Sequence, residues 1–493
     1  MSRRTLLCGA AMAAVLMVAP AQADTTPAQA GALQVQLHDW LAGVIGPSID
    51  LPPLPVQFVA EGDHFRMQMP IAGTIAGTGV TIVAAGPWAG TVRVLEGGRY
   101  AVDNLSLPLP MKISRTEGPV EMQGSIAVTA ATQESHSILD PTLATTSSYD
   151  GRAAGLVATF QTSRGNGQVK IAKVTAHQTS QPKDGGRQNL VFETVMDGYD
   201  SVQPGTDGEP VHVSIARATQ SGHADGFDFA QLGTMLRTSI ALGQMASTEQ
   251  KASPKAEHPM TPAQQKAART IAAALADLLT LVDVDQTVER LEFEAGGISG
   301  KIAKLAVGMG FGAPKGEMEL HMRVAVDGIE SPAIPPGAFA NLVPKHIAFS
   351  PRLSGIPKAE AMRLLMRSIE IGNGDQSAVQ ADAMAMLDKS PVTVGIEDLA
   401  IELGVAQLTG SGSLDVSSAT DMSGEAELRM TGIDALVKQL GAAPETKMAV
   451  PVLIFLKGIG EQDDKEMVWT VKYEDSKVTV NGTDLSDMIP KGK

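Results

Sequence analysis

The sequence predicts an α+β fold: extended, mainly antiparallel β-sheets in meander order, with amphipathic helices packed on one face. Three observations lead there. Apolar and polar residues alternate with a period of two over several stretches, most sharply over Glu317–Asp327. Short, turn-rich connections join these stretches, without the regular strand–helix alternation of a parallel sheet. Two amphipathic helices each precede a run of such strands.

Taken in order, the chain begins with what reads as a cleavable export signal. Arg3 and Arg4 give a positive start with no acid nearby, and Leu6–Val18 is an apolar, Ala-rich stretch. It is long enough for a signal but short for a bilayer-spanning helix. Pro20 breaks it, and Ala21-Gln22-Ala23 is a small-x-small cleavage site, so processing is expected between Ala23 and Asp24. Ser2-Arg3-Arg4-Thr5-Leu6-Leu7 resembles the twin-arginine motif, yet arginine pairs also occur in general secretory signals. General secretion is the first expectation and the periplasm the destination. Cys8 lies near the start of the apolar stretch, not after it, which disfavours lipid anchoring. It leaves with the signal, so the mature chain is expected to lack disulfides, a cysteine nucleophile and thiolate metal ligands.

The formal net charge is −15, and removing the two signal arginines takes it to −17. Such a balance argues against nucleic acid as a partner and against broad electrostatic docking on anionic lipid. No later stretch reaches about 18 apolar residues, so no transmembrane segment is expected once the signal is gone.

The domain expectation is a signal at 1–23, a helix-plus-sheet domain at 24–244, a linker at 245–261 and a second helix-plus-sheet domain at 262–493. The linker segment is polar, contains two prolines and has no periodic apolar positions. Thr26-Pro27-Ala28-Gln29 and Thr261-Pro262-Ala263-Gln264 start the two halves alike. Each reads as a capped helix start, with Thr as N-cap, Pro at the first helical position and Gln closing a capping box. Ala30, Leu33, Leu37, Leu41 and Val44 recur at helical spacing after the first; Ala268, Ile271, Leu275, Leu278 and Val282 do so after the second. A duplicated unit and a chance four-residue match both fit.

Strands follow. Val56–Ala60 and Phe65, Met67 and Met69 flank Glu61-Gly62-Asp63, a hairpin signal. Further candidates are Val92–Leu95, Tyr100–Leu107, Val120–Val128, Leu156–Gln161, Val169–Ala176, Leu190–Met196, Val211–Ala216, Leu291–Ala295 and Leu399–Val405. In Glu317–Asp327, Met318, Leu320, Met322 and Val324 point one way, to an expected buried face, and Glu319, His321 and Arg323 the other. Ala426, Leu428 and Met430 alternate likewise, and Met467–Tyr473 turns through Glu474-Asp475-Ser476 into Val478 and Val480. Helices are predicted at Phe229–Leu242 with Asp228 as N-cap, Pro357–Ile369, Gln376–Leu387 and Ile433–Leu440. Ala449–Leu456, apolar around Pro451, fits a short helix or a strand.

Gly410-Ser-Gly-Ser-Leu-Asp-Val416 and the segment from Ser423-Gly-Glu-Ala-Glu-Leu-Arg to Asp434 carry a resemblance. With the signal, the leading helix and the final hairpin at Val478–Gly482, they resemble exported alphaproteobacterial proteins of unknown function. Those are distantly similar to AsmA-like envelope proteins, whose repeated strands form a curved sheet with an apolar groove. The resemblance is one of pattern over the C-terminal half. It implies envelope location and lipid contact, and brings no catalytic motif.

Catalytic patterns are otherwise missing from the sequence. Gly297-Ile298-Ser299-Gly300 is one residue short of a hydrolase elbow and reads as a hairpin turn. Gly296–Lys301 lacks the first glycine and the final Ser or Thr of a phosphate loop. Gly308-Met309-Gly310-Phe311-Gly312 has no βαβ context, and glycines in strands mark bulges or close approaches. The nine histidines are scattered, with no zinc spacing, and Asp283 and Asp285 lack the rest of a calcium loop. No cofactor or metal is expected. Of 23 methionines, 20 remain without Met1, Met12 and Met17. Copper(I) binding at Met67-x-Met69 or Met384-x-Met386 competes with core packing by an adaptable side chain, and packing is preferred. Phe65, Met67, Met69, Met318, Leu320, Met322 and Val324 are equally candidates to line an apolar groove. The expected function is therefore a non-catalytic envelope protein that binds lipid or another apolar ligand; protein partners are not indicated. A ligand-free interaction scaffold is one alternative, and a hydrolase with dispersed residues the other.

Overall fold

The computed structural model describes residues 25–45, 56–75, 80–115, 124–140, 146–163, 165–205, 209–252, 260–333, 338–371, 377–418, 421–442 and 446–486. The export signal with Ala21, Ala23 and Asp24 lies outside them. The chain divides into two compact units, 1–194 and 195–493.

The N-terminal unit contains helix α1 (Pro27–Ile45) and strands β1 (Gln57–Glu61), β2 (His64–Met69), β3 (Gly73–Ile75), β4 (Val80–Ala84), β5 (Trp88–Val94) and β6 (Tyr100–Ser106). It continues with β7 (Met111–Arg115), β8 (Gly124–Thr129), β9 (Thr132–Leu139), β10 (Thr146–Thr162) and β11 (Gly165–Lys183). The division from the second unit falls within β12 (Arg187–Pro204). Antiparallel pairing runs β1–β2–β5–β6–β9–β10–β11, and a branch β10–β8–β7–β4–β3 shares β10. The predicted hairpin at Glu61-Gly62-Asp63 joins β1 to β2, with Gly62 at φ 63°. The first capping box is present: Thr26 N donates to Gln29 Oε1 at 2.9 Å, and Gln29 N donates to Thr26 Oγ1 at 3.3 Å. α1 buries Ala30 in a cluster with Phe65, Val92, Tyr100 and Val102, against which Leu33, Phe58 and Met67 pack.

The C-terminal unit contains β13 (Pro210–Phe227), α2 (Phe229–Ala252), α3 (Pro262–Leu278), β14 (Leu281–Ala295), β15 (Ile298–Gly312), β16 (Glu317–Glu330) and β17 (His346–Pro357). After α4 (Lys358–Ile371) and α5 (Ser377–Leu387) come β18 (Val392–Glu402), β19 (Gln407–Val416) and β20 (Met422–Thr431). The chain ends with α6 (Ile433–Ala442), α7 (Val450–Ile459), β21 (Glu461–Asp463), β22 (Glu466–Glu474), β23 (Lys477–Val480) and β24 (Thr483–Asp484). β13 to β20 form an antiparallel meander in chain order; β22 pairs with β20 and is followed by β23 and β24. α2 to α5 join strand ends at the edge of the sheet that holds Leu281, Gly312, Glu317 and Val392. α6 and α7 leave from the opposite edge, after Thr431.

Three expectations change. The balance is mainly antiparallel β rather than α+β, with more than twice as many residues in strands as in helices among the described residues. The strands outrun their apolar cores. β11 spans 19 residues where alternation marks only Val169–Ala176, because a ladder needs backbone partners and not apolar side chains along its whole length. The segment Met245–Thr261 does not coincide with the division between units. Met245–Ala252 continue α2, whose helix packs on α3, and residues 253–259 lie outside the described set. Asp228 caps α2 through Ala230 N at 2.9 Å, and the second capping box, Thr261 with Gln264, is formed. The apolar run at 449–456 is helical, with Ala449 as N-cap and the rest within α7.

Candidate functional site

Directly paired residues of an antiparallel sheet project to one face, so register decides which side chains meet. Phe311 pairs with Leu320, which pairs with Leu353; Leu353 pairs with Val394, and Val394 with Leu414. A second row runs through Val307, Val324, Phe349 and Leu399 to Gly410 and Leu428. Met309 pairs with Met322 between them. At about 4.8 Å between neighbouring strands, the longer row, from β15 to β20, crosses roughly 24 Å of sheet.

This face is apolar and largely uncovered. Met309 is 56% exposed and Leu320 42%, and Val307, Phe311, Met322, Phe349, Val394 and Ile396 are exposed with them. The burial expected of Leu320 is thus overturned: alternation separates two faces but says nothing of what lies over either. At the α6–α7 edge the same face is covered, where Met430, Ile433, Leu436, Met467 and Trp469 form a packed cluster.

Toward β20 the face sinks into a cleft of about 320 Å³, walled by Val394, Ile396, Leu399, Leu414, Leu428, Val471 and Tyr473. Its floor contains Gly410, Gly412 and Gly424. Gly410 faces Leu428, Gly412 faces Ala426 and Gly424 faces Leu414, so each strand pair sets a glycine against a side chain. A Cβ at Gly412 would meet Ala426 on the neighbouring strand, backbone included. Glycine is needed there for close approach, and the missing side chains leave the hollow.

The opposite face is polar and internally paired. His321 Nε2 lies 3.1 Å from Asp283 Oδ2, and Arg323 donates to Asp283 at 2.7 Å and Asp285 at 2.9 Å. Burial pushes the Asp283 carboxyl up, but hydrogen bonding and charge from Arg323, with His321, outweigh it and hold the carboxyl below 3.8. Arg352 bridges Glu319 and Glu397, and His346 pairs with Asp327 at 2.6 Å.

The other expected groove residues lie in the N-terminal unit. Phe65 is 2% exposed inside the cluster under α1, Met67 packs against that cluster and Met69 is half-buried. Phe65 and Met67 thus pack a core there. Met318 and Val324, half-buried, share the open face with Leu320 and Met322.

The N-terminal unit also bears a polar hollow of about 640 Å³ that collects His64, Arg93, Asp103, His136, Asp150 and Arg152 from five strands. His136 Nδ1 is 2.6 Å from Asp103 Oδ1, and Arg93 holds the other carboxylate oxygen at 2.6 Å. This is an oriented imidazole, but nucleophilic catalysis also needs a hydroxyl on its free nitrogen. Ser135, also lining the hollow, donates instead to the Leu105 carbonyl at 3.4 Å. Among the described residues no hydroxyl hydrogen-bonds His136, no cluster of His, Cys, Asp or Glu could hold a metal ion, and no helix is long and apolar enough to cross a membrane.

No protein-family model matches the chain, and no curated protein matches it. The functional reading therefore rests on the chain's own faces and clefts.

Proposed function

We propose that the C-terminal sheet binds a lipid or another apolar ligand of the bacterial envelope, without catalysis. The observation that carries this reading is the uncovered apolar face of β15–β18, continuous through paired residues with the glycine-floored cleft at β18–β20. Contiguous apolar surface of this kind is costly to leave in water and marks a binding surface. Its composition suits varied alkyl ligands, since Met309 and Met322 sit at its centre and unbranched thioethers conform to irregular apolar shapes. The polar face opposite satisfies itself through ion pairs, which leaves the apolar face as the one that gains from a ligand. The signal-like N-terminus supports an envelope location.

Native mass spectrometry of protein purified from the periplasm tests the reading. Co-purifying lipid is expected, and Met309→Asp with Met322→Asp should remove it while the fold is retained. A protein that carries no lipid, and takes up none from a fluorescent acyl probe, is not a lipid binder.

A further inference from the structure

α7 is apolar all round, and only half of it is packed. Leu453, Leu456 and Ile459 face the cluster built on Trp469, whose indole Nε1 donates to the Leu456 carbonyl at 2.8 Å. That bond and the packing fix which half looks outward. Met448, just before the helix, is 89% exposed, Val452 58% and Ile454 56%, with Pro451, Phe455 and Gly458 exposed beside them. Lys457 is the single charged residue within Val450–Ile459, and it is bound to Asp434 of α6.

We propose that the outward half of α7 docks this protein on a lipid bilayer, inserting Met448, Val452, Ile454 and Phe455 among the headgroups of an anionic membrane. Two features select a bilayer over a protein partner. The bare half offers no polar side chain to orient a specific interface, whereas an exposed apolar helix face lying in the headgroup region needs none. The charge ahead of α7 also runs against that of the whole chain. Of the three lysines in residues 433–459, Lys457 is bound to Asp434 while Lys438 and Lys447 precede the helix, with Glu445 as the one other acid of that stretch, in a protein of net charge −15. Lys438 and Lys447 are exposed and form no ion pair among the described residues, and Lys447 adjoins the most exposed apolar side chain, Met448. Anionic headgroups complement that end.

The charges also set a direction. Ten helical residues span about 15 Å. Lys447 precedes the helix, and the acids Glu461, Asp463 and Asp464 follow it on the β21–β22 hairpin. The N-terminal end of α7 should therefore sit deeper than the C-terminal end. This docking does not depend on ligand binding by the open sheet face, and either can fail without the other.

The test uses the whole chain with Cys8→Ser and one cysteine at 448, 452, 458 or, as a control on β15, 301, labelled with an environment-sensitive dye. Vesicles of phosphatidylcholine alone are compared with vesicles containing phosphatidylglycerol. Dye at 448 and 452 is expected to shift to shorter wavelength on the anionic vesicles, more than at 458, while dye at 301 stays unchanged. Val452→Asp with Ile454→Asp should lower vesicle partitioning about tenfold or more, and Lys447→Glu should lower it on anionic vesicles only. Val452→Gln with Ile454→Gln repeats the test if the acidic pair impairs folding. The proposal is overturned if position 452 reports no shift on either vesicle or partitioning is indifferent to both double variants. A shift at 452 that grows with protein concentration in the absence of vesicles overturns it too, and assigns the surface to self-association.

Discussion

The imidazole of His321 reaches the carboxylate of Asp283 across an intervening strand. Direct partners stand on adjacent strands, yet His321 is on β16 and Asp283 on β14, and the two lie 3.1 Å apart over β15. The strand between is crossed at Gly310, the register partner of both. A Cβ on Gly310 would run into the His321 ring, and one on Gly308 would meet Asp285 and the Arg323 guanidinium. The glycine repeat Gly308–Gly312 is therefore a bed for side chains that tie three strands together.

This makes the effect of Gly310→Ala depend on His321. Alanine in a strand gains about 0.5–1 kcal/mol over glycine through chain entropy. In the native background the displaced imidazole loses its bond to Asp283, worth about 1 kcal/mol, so the substitution should be neutral or destabilising. With His321→Ala in place nothing blocks the methyl, and Gly310→Ala should stabilise. Denaturant unfolding of the four proteins of this cycle measures the coupling. Additive effects would mean that the ring does not lie over Gly310.

Acid sensitivity follows from the same network. Asp283 titrates below its ordinary 3.8, as does Asp103, where burial raises the carboxyl and bonds from His136 and Arg93 lower it further. A carboxylate lowered in the folded state contributes stability that is complete above its unfolded pKa. That contribution is lost as pH falls through 3.8 toward the lowered values. The melting temperature should therefore drop below about pH 4, and Asp283→Asn should make the drop shallower. Melting curves between neutral pH and strongly acid pH give the comparison; an unchanged acid slope in Asp283→Asn would remove Asp283 from the account.

Local signals in the sequence proved legible where they close over a few residues. Thr261 and Gln264 satisfy each other within one helical turn, so four letters suffice to read the cap. The turn at Asp475-Ser476 was legible for the same reason, whereas the hairpin read at Gly297–Gly300 turns at Gly296-Gly297 and its last three residues already belong to β15. β17 was not, because Pro351 interrupts its alternation at a bulge that only the pairing with Ile396 on β18 explains. The cleft was hidden differently: Gly410, Gly412 and Gly424 draw notice as a motif, but their common face depends on a register between two strands. Most consequential was the cover of each apolar face. Phe65 and Leu320 occupy similar alternating patterns, and only the position of α1 relative to Phe65 separates core from open surface.

The two capping boxes provide a direct check on α1 and α3. Thr261→Ala removes the side-chain acceptor for Gln264 N at 3.3 Å and should cost about 1 kcal/mol. Thr26→Ala removes the equivalent bond to Gln29 and should cost a similar amount. Thermal unfolding reads both, and Thr→Ser at either site should restore most of the loss.

Processing at the N-terminus is tested on protein recovered from cells. Ala21-Gln22-Ala23 is the expected cleavage site, so sequencing should begin at Asp24. Intact Met1 in a membrane fraction would contradict it. Replacing Arg3-Arg4 with Lys-Lys should block export only if the twin-arginine route is used.

The last prediction sets Phe65 against Leu320. Phe65 is almost wholly enclosed by Ala30, Val92, Tyr100 and Val102, so Phe65→Ala leaves a cavity and should cost about 3–5 kcal/mol. Leu320 stands 42% exposed between Phe311 and Leu353, and its truncation removes surface that water already reaches. Leu320→Ala should cost about 1 kcal/mol or less. If the open face binds an apolar ligand, the same variant should carry less co-purifying lipid per folded molecule, while a substitution at Glu319 on the polar face leaves lipid content alone. Urea unfolding and native mass spectrometry on the same preparations separate the two quantities. A loss at Leu320 as large as that at Phe65 would mean that the face is covered in the folded protein. Equal lipid content in Leu320→Ala and the native chain, with stability also unchanged, would leave the face open but remove it as the site of binding.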